Sequence, residues 1–171
     1  MTSQRTKPTL FDRFERAISE YGVETRRVEP SDVEAAIESS LLEPAVGTPL
    51  GIEGATLPEA VNTEPTSADL EAAATGVTSA SLAIASYGSV VLRANEAGSE
   101  PISLFNDRHV VVLEADDIVP DMEAAFEWFG DELRESRDSA IIATGPSATA
   151  DMGALVQGAH GPKEVEVIVV R

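Results

Sequence analysis

Two valine-rich runs constrain the fold of this chain more than any other feature of the sequence. Residues 110–113 are Val-Val-Val-Leu, and residues 165–170 contain four valines and one isoleucine. Runs of this kind are typical of strands in a parallel sheet that helices cover on both faces. Helical spacing interleaves with them, as in residues 9–20, where Phe11, Phe14 and Ile18 share one face. The sequence therefore predicts an α/β fold with a mostly parallel sheet flanked by helices.

Two further apolar stretches predict a local antiparallel pair. Residues 80–85 and 89–92 are apolar, and Ser86, Tyr87 and Gly88 between them favour a hairpin turn. Residues 141–144 predict another buried strand. The 171 residues are enough for a single domain, with residues 1–40 as a helical amino-terminal segment that packs on it.

Helix ends are predicted at two places. Ser31 followed three residues later by Glu34 forms a capping-box pattern that predicts the start of a helix. Met122, Phe126 and Phe129 share one face of a later helix, and Gly130 is predicted to end it.

Charge and residue usage exclude several classes of function. The formal net charge is −18, from 30 acidic and 12 basic residues, and such a charge repels nucleic acid and anionic membranes. With only two lysines, the acidic surface is typical of a halophilic protein, where molar salt shortens the Debye length to about 3 Å. No apolar run is long enough to span a bilayer and no secretory signal is visible, so we expect a cytoplasmic protein.

The chain has no cysteine and two histidines. The cysteine count excludes disulfides, thiolate nucleophiles and cysteine-ligated iron–sulfur clusters within the chain. Two histidines without a His-x-x-x-His pair also make an intrinsic metal site unfavourable, and we expect none.

The strongest local motif is Thr-Gly-Pro-Ser-Ala-Thr-Ala-Asp at residues 144–151. It follows a predicted strand, and ligands of open α/β sheets collect at the carboxyl ends of strands. Gly145 allows close backbone approach, while Ser147, Thr149 and Asp151 offer polar groups beside a predicted helix start that suits a carboxylate or phosphate. An ordinary helix cap, with Ser147 at the N-cap position, explains the same residues.

The second motif is Gly-Ala-His-Gly-Pro at residues 158–162, before the last strand. His160, followed by Gly161, is placed to act as a general base or as a hydrogen-bond donor to an anion. A turn histidine that bonds to the backbone is the alternative. His109 begins an apolar strand, and we interpret it as structural.

A third group of polar residues surrounds the predicted hairpin. Thr78, Ser86 and Ser89 supply hydroxyl groups, and Gly88 marks the bend. Arg108 precedes the valine run and offers a guanidinium to a ligand carboxylate, or an ordinary surface charge.

Read together and in this order, these three groups resemble the LUD (lactate utilisation) family, specifically its short LutC-type members. The resemblance covers about residues 70–170 and includes the middle motif at Gly88 and Ser89 and the paired carboxy-terminal motifs. It implies a fold similar to those of ribose-5-phosphate isomerase, glucosamine-6-phosphate deaminase and coenzyme A transferases. It also implies oxidation of L-lactate to pyruvate beside a partner subunit that carries the iron–sulfur clusters, with no cofactor in this chain.

The resemblance further implies a small-anion cleft built from the three groups. Its expected catalytic residues are His160 and Asp151. Its expected ligand-binding residues are Thr78, Ser86, Gly88, Ser89, Gly145, Ser147, Thr149 and Gly161.

The sequence departs from the family at three positions. Ser86 and Tyr87 stand where an acidic residue and a small hydroxyl residue are usual, and Ala148 stands where a basic residue is frequent. Two alternatives to the accessory subunit therefore stay open. One is an independent enzyme of the sugar-phosphate isomerase or acyl-transfer type, and the other is a non-catalytic interaction protein. A homo-oligomer also stays open.

Overall fold

The computed structural model describes residues 7–136, 138–150 and 153–171. Its strands are β1 (Glu24–Val28), β2 (Ala45–Gly47), β3 (Val61–Asn62), β4 (Thr75–Ser79), β5 (Leu82–Ile84), β6 (Ser89–Arg93), β7 (Arg108–Glu114), β8 (Ile118–Val119), β9 (Ala140–Ala143), β10 (Ala148–Thr149), β11 (Val156–Gln157) and β12 (Glu164–Val170). Its α-helices are α1 (Leu10–Ser19), α2 (Val33–Glu38), α3 (Ser67–Ala72), α4 (Ser99–Leu104) and α5 (Met122–Ser136), with 3₁₀ turns at Pro30–Asp32 and Ala115–Asp117.

The main sheet has six strands in the order β1-β12-β7-β4-β2-β3, and every neighbouring pair is parallel. Alternate residues of β7 and β12 face opposite sides. Val111 and Val167 pack in the cluster that contains Phe14 and Ile18 of α1, while Val110 and its neighbours pack in the cluster under α2. Because both faces are buried, the central strands need continuous apolar sequence. The predicted α/β fold with a mostly parallel sheet is confirmed.

A second sheet has the order β8-β5-β6-β9 and packs beside the first. The predicted hairpin is confirmed, since β5 and β6 are antiparallel with Ile84 opposite Ser89. Gly88 has a φ of +64°, and a Cβ there would lie 2.4 Å from the backbone nitrogen of Ile18. The turn therefore requires glycine both for its conformation and for its contact with α1.

Three predictions about individual elements were wrong. The strand at residues 140–143 is not buried, because β9 lies at the edge of the second sheet and Ile142 is 42% exposed. Helix α5 continues through Gly130 to Ser136, since Gly130 does not take the positive φ that a glycine stop requires. Ser31 forms no cap, because Pro30–Asp32 is a 3₁₀ turn.

Capping boxes occur instead at the starts of α1 and α3. The Thr9 hydroxyl accepts a hydrogen bond from the Asp12 backbone, and the Asp12 carboxylate accepts one from the Thr9 backbone. Thr66 and Asp69 repeat the arrangement. Within the described ranges, no helix combines the length and the hydropathy that crossing a bilayer requires.

Candidate functional site

A cavity of about 260 Å³ lies between the two sheets. Aliphatic side chains form most of its wall, including Ile18 of α1, Leu92 of β6, Ile141 of β9 and Val165 of β12. The polar groups in the wall come from His109, Thr144, Ser147, His160 and Ser103. A concave, mostly apolar space with a few convergent polar groups is the usual form of a small-molecule site.

Both carboxy-terminal motifs line this cavity. Its wall includes residues 144–147 from the first motif and residues 160–162 from the second. The Ser147 backbone nitrogen donates a hydrogen bond of 2.8 Å to the Pro162 carbonyl, and Gly158 donates one of 2.9 Å to the Ser147 carbonyl. A Cβ on Gly161 would lie 2.9 Å from the Ser147 Cβ, so the loops are in direct contact.

Gly145 fixes the first loop against the end of α1. Its φ is +66°, which L side chains rarely adopt, and a Cβ there would lie 2.6 Å from the Tyr21 Cβ. Gly145 therefore allows a close approach to its backbone by the Tyr21 side chain, while its role in binding a ligand stays a prediction.

The prediction of a helix after the first loop was wrong. The prediction that the N-terminus of this helix could bind an anion was therefore wrong as well. Residues 148–149 form β10, which pairs with β11 as a short antiparallel hairpin. Thr149 lies in that hairpin and does not line the cavity. Asp151 lies outside the described residues.

The position of the cavity also differs from the prediction. The main sheet contributes His109 and Val165, which are the second residues of β7 and β12. The cavity therefore lies at the amino-terminal edge of the parallel strands. The cavity does lie at the carboxyl end of β9, but β9 belongs to the second sheet and not to the main parallel sheet.

His109 was predicted to be structural, and the structure places it in the cavity wall. It is 3% exposed, and its Nε2 lies 2.8 Å from the Thr78 hydroxyl oxygen. Burial lowers the pKa of His109 from 6.5 to about 4, so the ring is neutral at pH 7. The sequence did contain a signal for this contact, because His109 directly precedes a run of buried valines. A polar ring buried in such a strand requires a hydrogen-bond partner.

The middle motif contributes support and does not reach the cavity. Ser86 is exposed in the turn, whereas Gly88 and Ser89 are buried. None of the three is among the described residues that line the cavity. The Ser89 hydroxyl lies 2.7 Å from the Thr144 hydroxyl, and this contact ties β6 to the first loop. Thr78 is not among the described residues that line the cavity, but its hydroxyl contacts His109, which is.

No lysine, arginine or carboxylate is found among the described residues that line the cavity. Arg108 is engaged elsewhere, since its Nε donates 2.9 Å to Glu164 and its Nη1 donates 2.9 Å to the Ser40 carbonyl. The described ranges also contain no cluster of three or more histidine, aspartate or glutamate side chains suited to a metal ion. The cavity thus offers hydrogen bonds in an apolar setting without a permanent positive charge.

Comparison with known proteins gives consistent results. The sequence matches the LUD domain family over residues 12–170. It is 30% identical to lactate utilization protein C of Deinococcus radiodurans over 96% of this chain and 81% of that protein. A protein of the same name from Oceanobacillus iheyensis is 31% identical, with 58% of this chain and 45% of that protein covered. A crystal structure of a DUF162 family protein from Deinococcus radiodurans superposes with a TM-score of 0.73 at 27% identity, covering 95% and 96% of the two chains.

Proposed function

The chain belongs to the LUD domain family, and on that premise we propose that it is a LutC-like accessory subunit in the oxidation of L-lactate to pyruvate. The observation that carries this proposal is the similarity to lactate utilization protein C, which extends over 96% of the chain. The similarity in structure over 95% of the chain supports it.

The electron chemistry is proposed to lie in a partner subunit. Iron–sulfur clusters are held mainly by cysteine thiolates, and this chain has no cysteine. An iron–sulfur partner would receive the electrons, while this chain would bind the small organic acid and present it. Such a division makes both polypeptides necessary for growth on lactate.

The cavity is the proposed binding site for the small carboxylate. Ser147 and His160 line its outer side, and both types of side chain can donate hydrogen bonds to a carboxylate. The aliphatic side chains of Ile18, Leu92 and Val165 would contact the carbon skeleton. This arrangement would bind and orient a ligand, and it requires no electron transfer within the chain.

Deletion of the gene in a lactate-grown host tests the proposal. We expect slow growth or none on L-lactate and normal growth on pyruvate, because pyruvate enters metabolism after the proposed step. The wild-type gene should restore growth on lactate, and so should the exposed control Ser31→Ala. Ser147→Ala should restore it less well. Unimpaired growth of the deletion strain on lactate would refute the proposal.

A further inference from the structure

We infer that His109 is a ligand-binding residue of this cavity, that Thr78 positions it, and that the ligand is a small monocarboxylate with an apolar tail. The inference rests on the ligand cavity of the proposed function and deepens it. It assigns a ligand-binding role to a buried histidine that the sequence led us to interpret as structural.

The geometry of two parallel strands creates the contact between His109 and Thr78. His109 in β7 is opposite Gly76 in β4, and Thr78 follows two residues later on the same face. The opposite residue has no side chain, so the imidazole can extend along β4 to the Thr78 hydroxyl, 2.8 Å from Nε2. The ring is thereby fixed by a strand ladder and not by a loop.

The hydrogen-bond partners of His109 and Thr78 determine which ring nitrogen carries the proton. Thr78 is the only hydrogen-bond partner that the described residues give to the His109 ring, and His109 is the only one they give to the Thr78 hydroxyl. If Nε2 donated, the buried hydroxyl hydrogen would have no acceptor, which is costly. The hydroxyl therefore donates to Nε2, and the neutral ring carries its proton on Nδ1. Nδ1–H is then the donor available to a ligand.

The charges around the cavity decide the class of ligand. A phosphate dianion or a dicarboxylate needs a cation when it leaves water, and the described wall supplies neither lysine nor arginine. A monocarboxylate can be satisfied by hydrogen-bond donors from His109, Ser147 and His160. The volume of about 260 Å³ lies below the range of about 300–1,000 Å³ usual for drug-sized ligands. A short aliphatic acid fits both the volume and the apolar wall.

Calorimetric titration of the wild-type chain at pH 7, in a buffer without phosphate, tests the ligand class. The probes are sodium L-lactate, 2-hydroxyisovalerate, L-malate and inorganic phosphate. We expect saturable binding of the first two, with the branched acid tighter, and binding of malate and phosphate at least about tenfold weaker. Phosphate or malate that binds as tightly as lactate would overturn the inference, and so would no binding of either monocarboxylate.

Two substitutions of one residue test the donor. Asparagine places its side-chain NH₂ near the position of Nδ1, whereas glutamine places it near that of Nε2. His109→Gln should therefore weaken L-lactate binding by about tenfold or more, because the donor to the ligand is lost. His109→Asn should bind at least about threefold more tightly than His109→Gln. Equal affinity of wild type and His109→Gln would contradict the inference, provided that circular dichroism shows both chains folded.

A second pair tests Thr78 as a positioning residue. Histidine ¹⁵N resonances distinguish the two neutral tautomers, and wild type should show the proton on Nδ1. Thr78→Val should mix the tautomers and weaken L-lactate binding, while Thr78→Ser should preserve both properties. A purely structural Thr78 would leave the tautomer unchanged in Thr78→Val.

These experiments fail separately from the test of the proposed function. If the deletion strain cannot grow on lactate but the chain binds no monocarboxylate, the accessory role stands and this inference falls. If the chain binds lactate through His109 but the deletion strain grows normally, the binding site stands and the proposed role falls.

Discussion

The two walls of the cavity are built in different ways. The inner wall contains His109 of β7 and Val165 of β12, and β4 supports it through the contact between Thr78 and His109, both of which are buried. All three strands are paired on both sides. The outer wall consists of edge strand β9 and the loops at residues 144–147 and 160–162, where His160 is exposed. The inner wall holds its polar group by strand register, and the outer wall holds its groups by turns. Substitutions in the two walls should therefore have effects of different size and kind.

The largest difference is expected between two glycines, one in the strand that supports the inner wall and one in the outer wall. A Cβ on Gly76 in β4 would lie 2.2 Å from the Ile102 carbonyl oxygen and 2.4 Å from the Asn106 side-chain nitrogen. Gly76→Ala should lower the free energy of unfolding by about 3 kcal/mol or more, because the neighbouring backbone cannot yield. Gly161→Ala meets the Ser147 side chain at 2.9 Å and should cost about 1 kcal/mol.

Urea denaturation of the two variants measures both values. Equal losses would show that the outer wall is packed as rigidly as the inner wall. A loss for Gly76→Ala below about 1 kcal/mol would show that α4 moves away from β4 easily.

The buried histidine gives the inner wall a pH dependence. Because burial lowers the pKa of His109 to about 4 in the folded state, against 6.5 unfolded, the unfolded chain binds more protons between these values. Stability should fall as pH decreases from about 6.5 to 4, by about 3 kcal/mol at most, and this loss should end below pH 4. The measurement is the difference in unfolding free energy between wild type and His109→Asn across this range, which cancels the effect of the many carboxylates. A pH-independent difference would place His109 in contact with solvent.

Gly145 tests how the outer wall is attached to α1. Gly145→Ala should cost about 2 kcal/mol, since it combines a φ of +66° with a contact of 2.6 Å to Tyr21. Gly22→Ala is a matched control, because Gly22 has a φ of +73° and an added Cβ there would have no atom within 4 Å. The control should cost about 1 kcal/mol. Thermal melts that give identical losses would show that Tyr21 moves aside without cost.

The smallest effect concerns the hydroxyl pair that joins β6 to the outer wall. Ser89→Ala or Thr144→Val should each cost about 1 kcal/mol, because the remaining hydroxyl of this part-buried pair loses its hydrogen bond over 2.7 Å. The double variant should cost less than the sum of the two, and the difference in a double-mutant cycle measures the coupling. Strict additivity would mean that the two hydroxyls do not stabilise each other.

The difference between the two walls also explains which features of the structure the sequence could predict. The central strands were predictable because burial on both faces leaves valine-rich runs at β7 and β12. The two loops were predictable because glycine and proline mark turns directly. The contact between Thr78 and His109 was not, since the residues are 31 positions apart and only the register of β4 and β7 joins them. The exposure of Ile142 was also missed, because an apolar edge strand has the same composition as a buried one.

The central claim is that the inner and outer walls enclose one binding site for a small acid. The chain's two histidines provide a direct test. His109 lies in the inner wall and His160 in the outer wall, so each reports on one side of the cavity. Titration of the ¹⁵N-histidine-labelled chain with L-lactate at pH 7 should shift the imidazole resonances of both residues with one saturation curve. Saturable binding that leaves the His109 resonances unchanged, or binding that shifts neither histidine, would contradict the account.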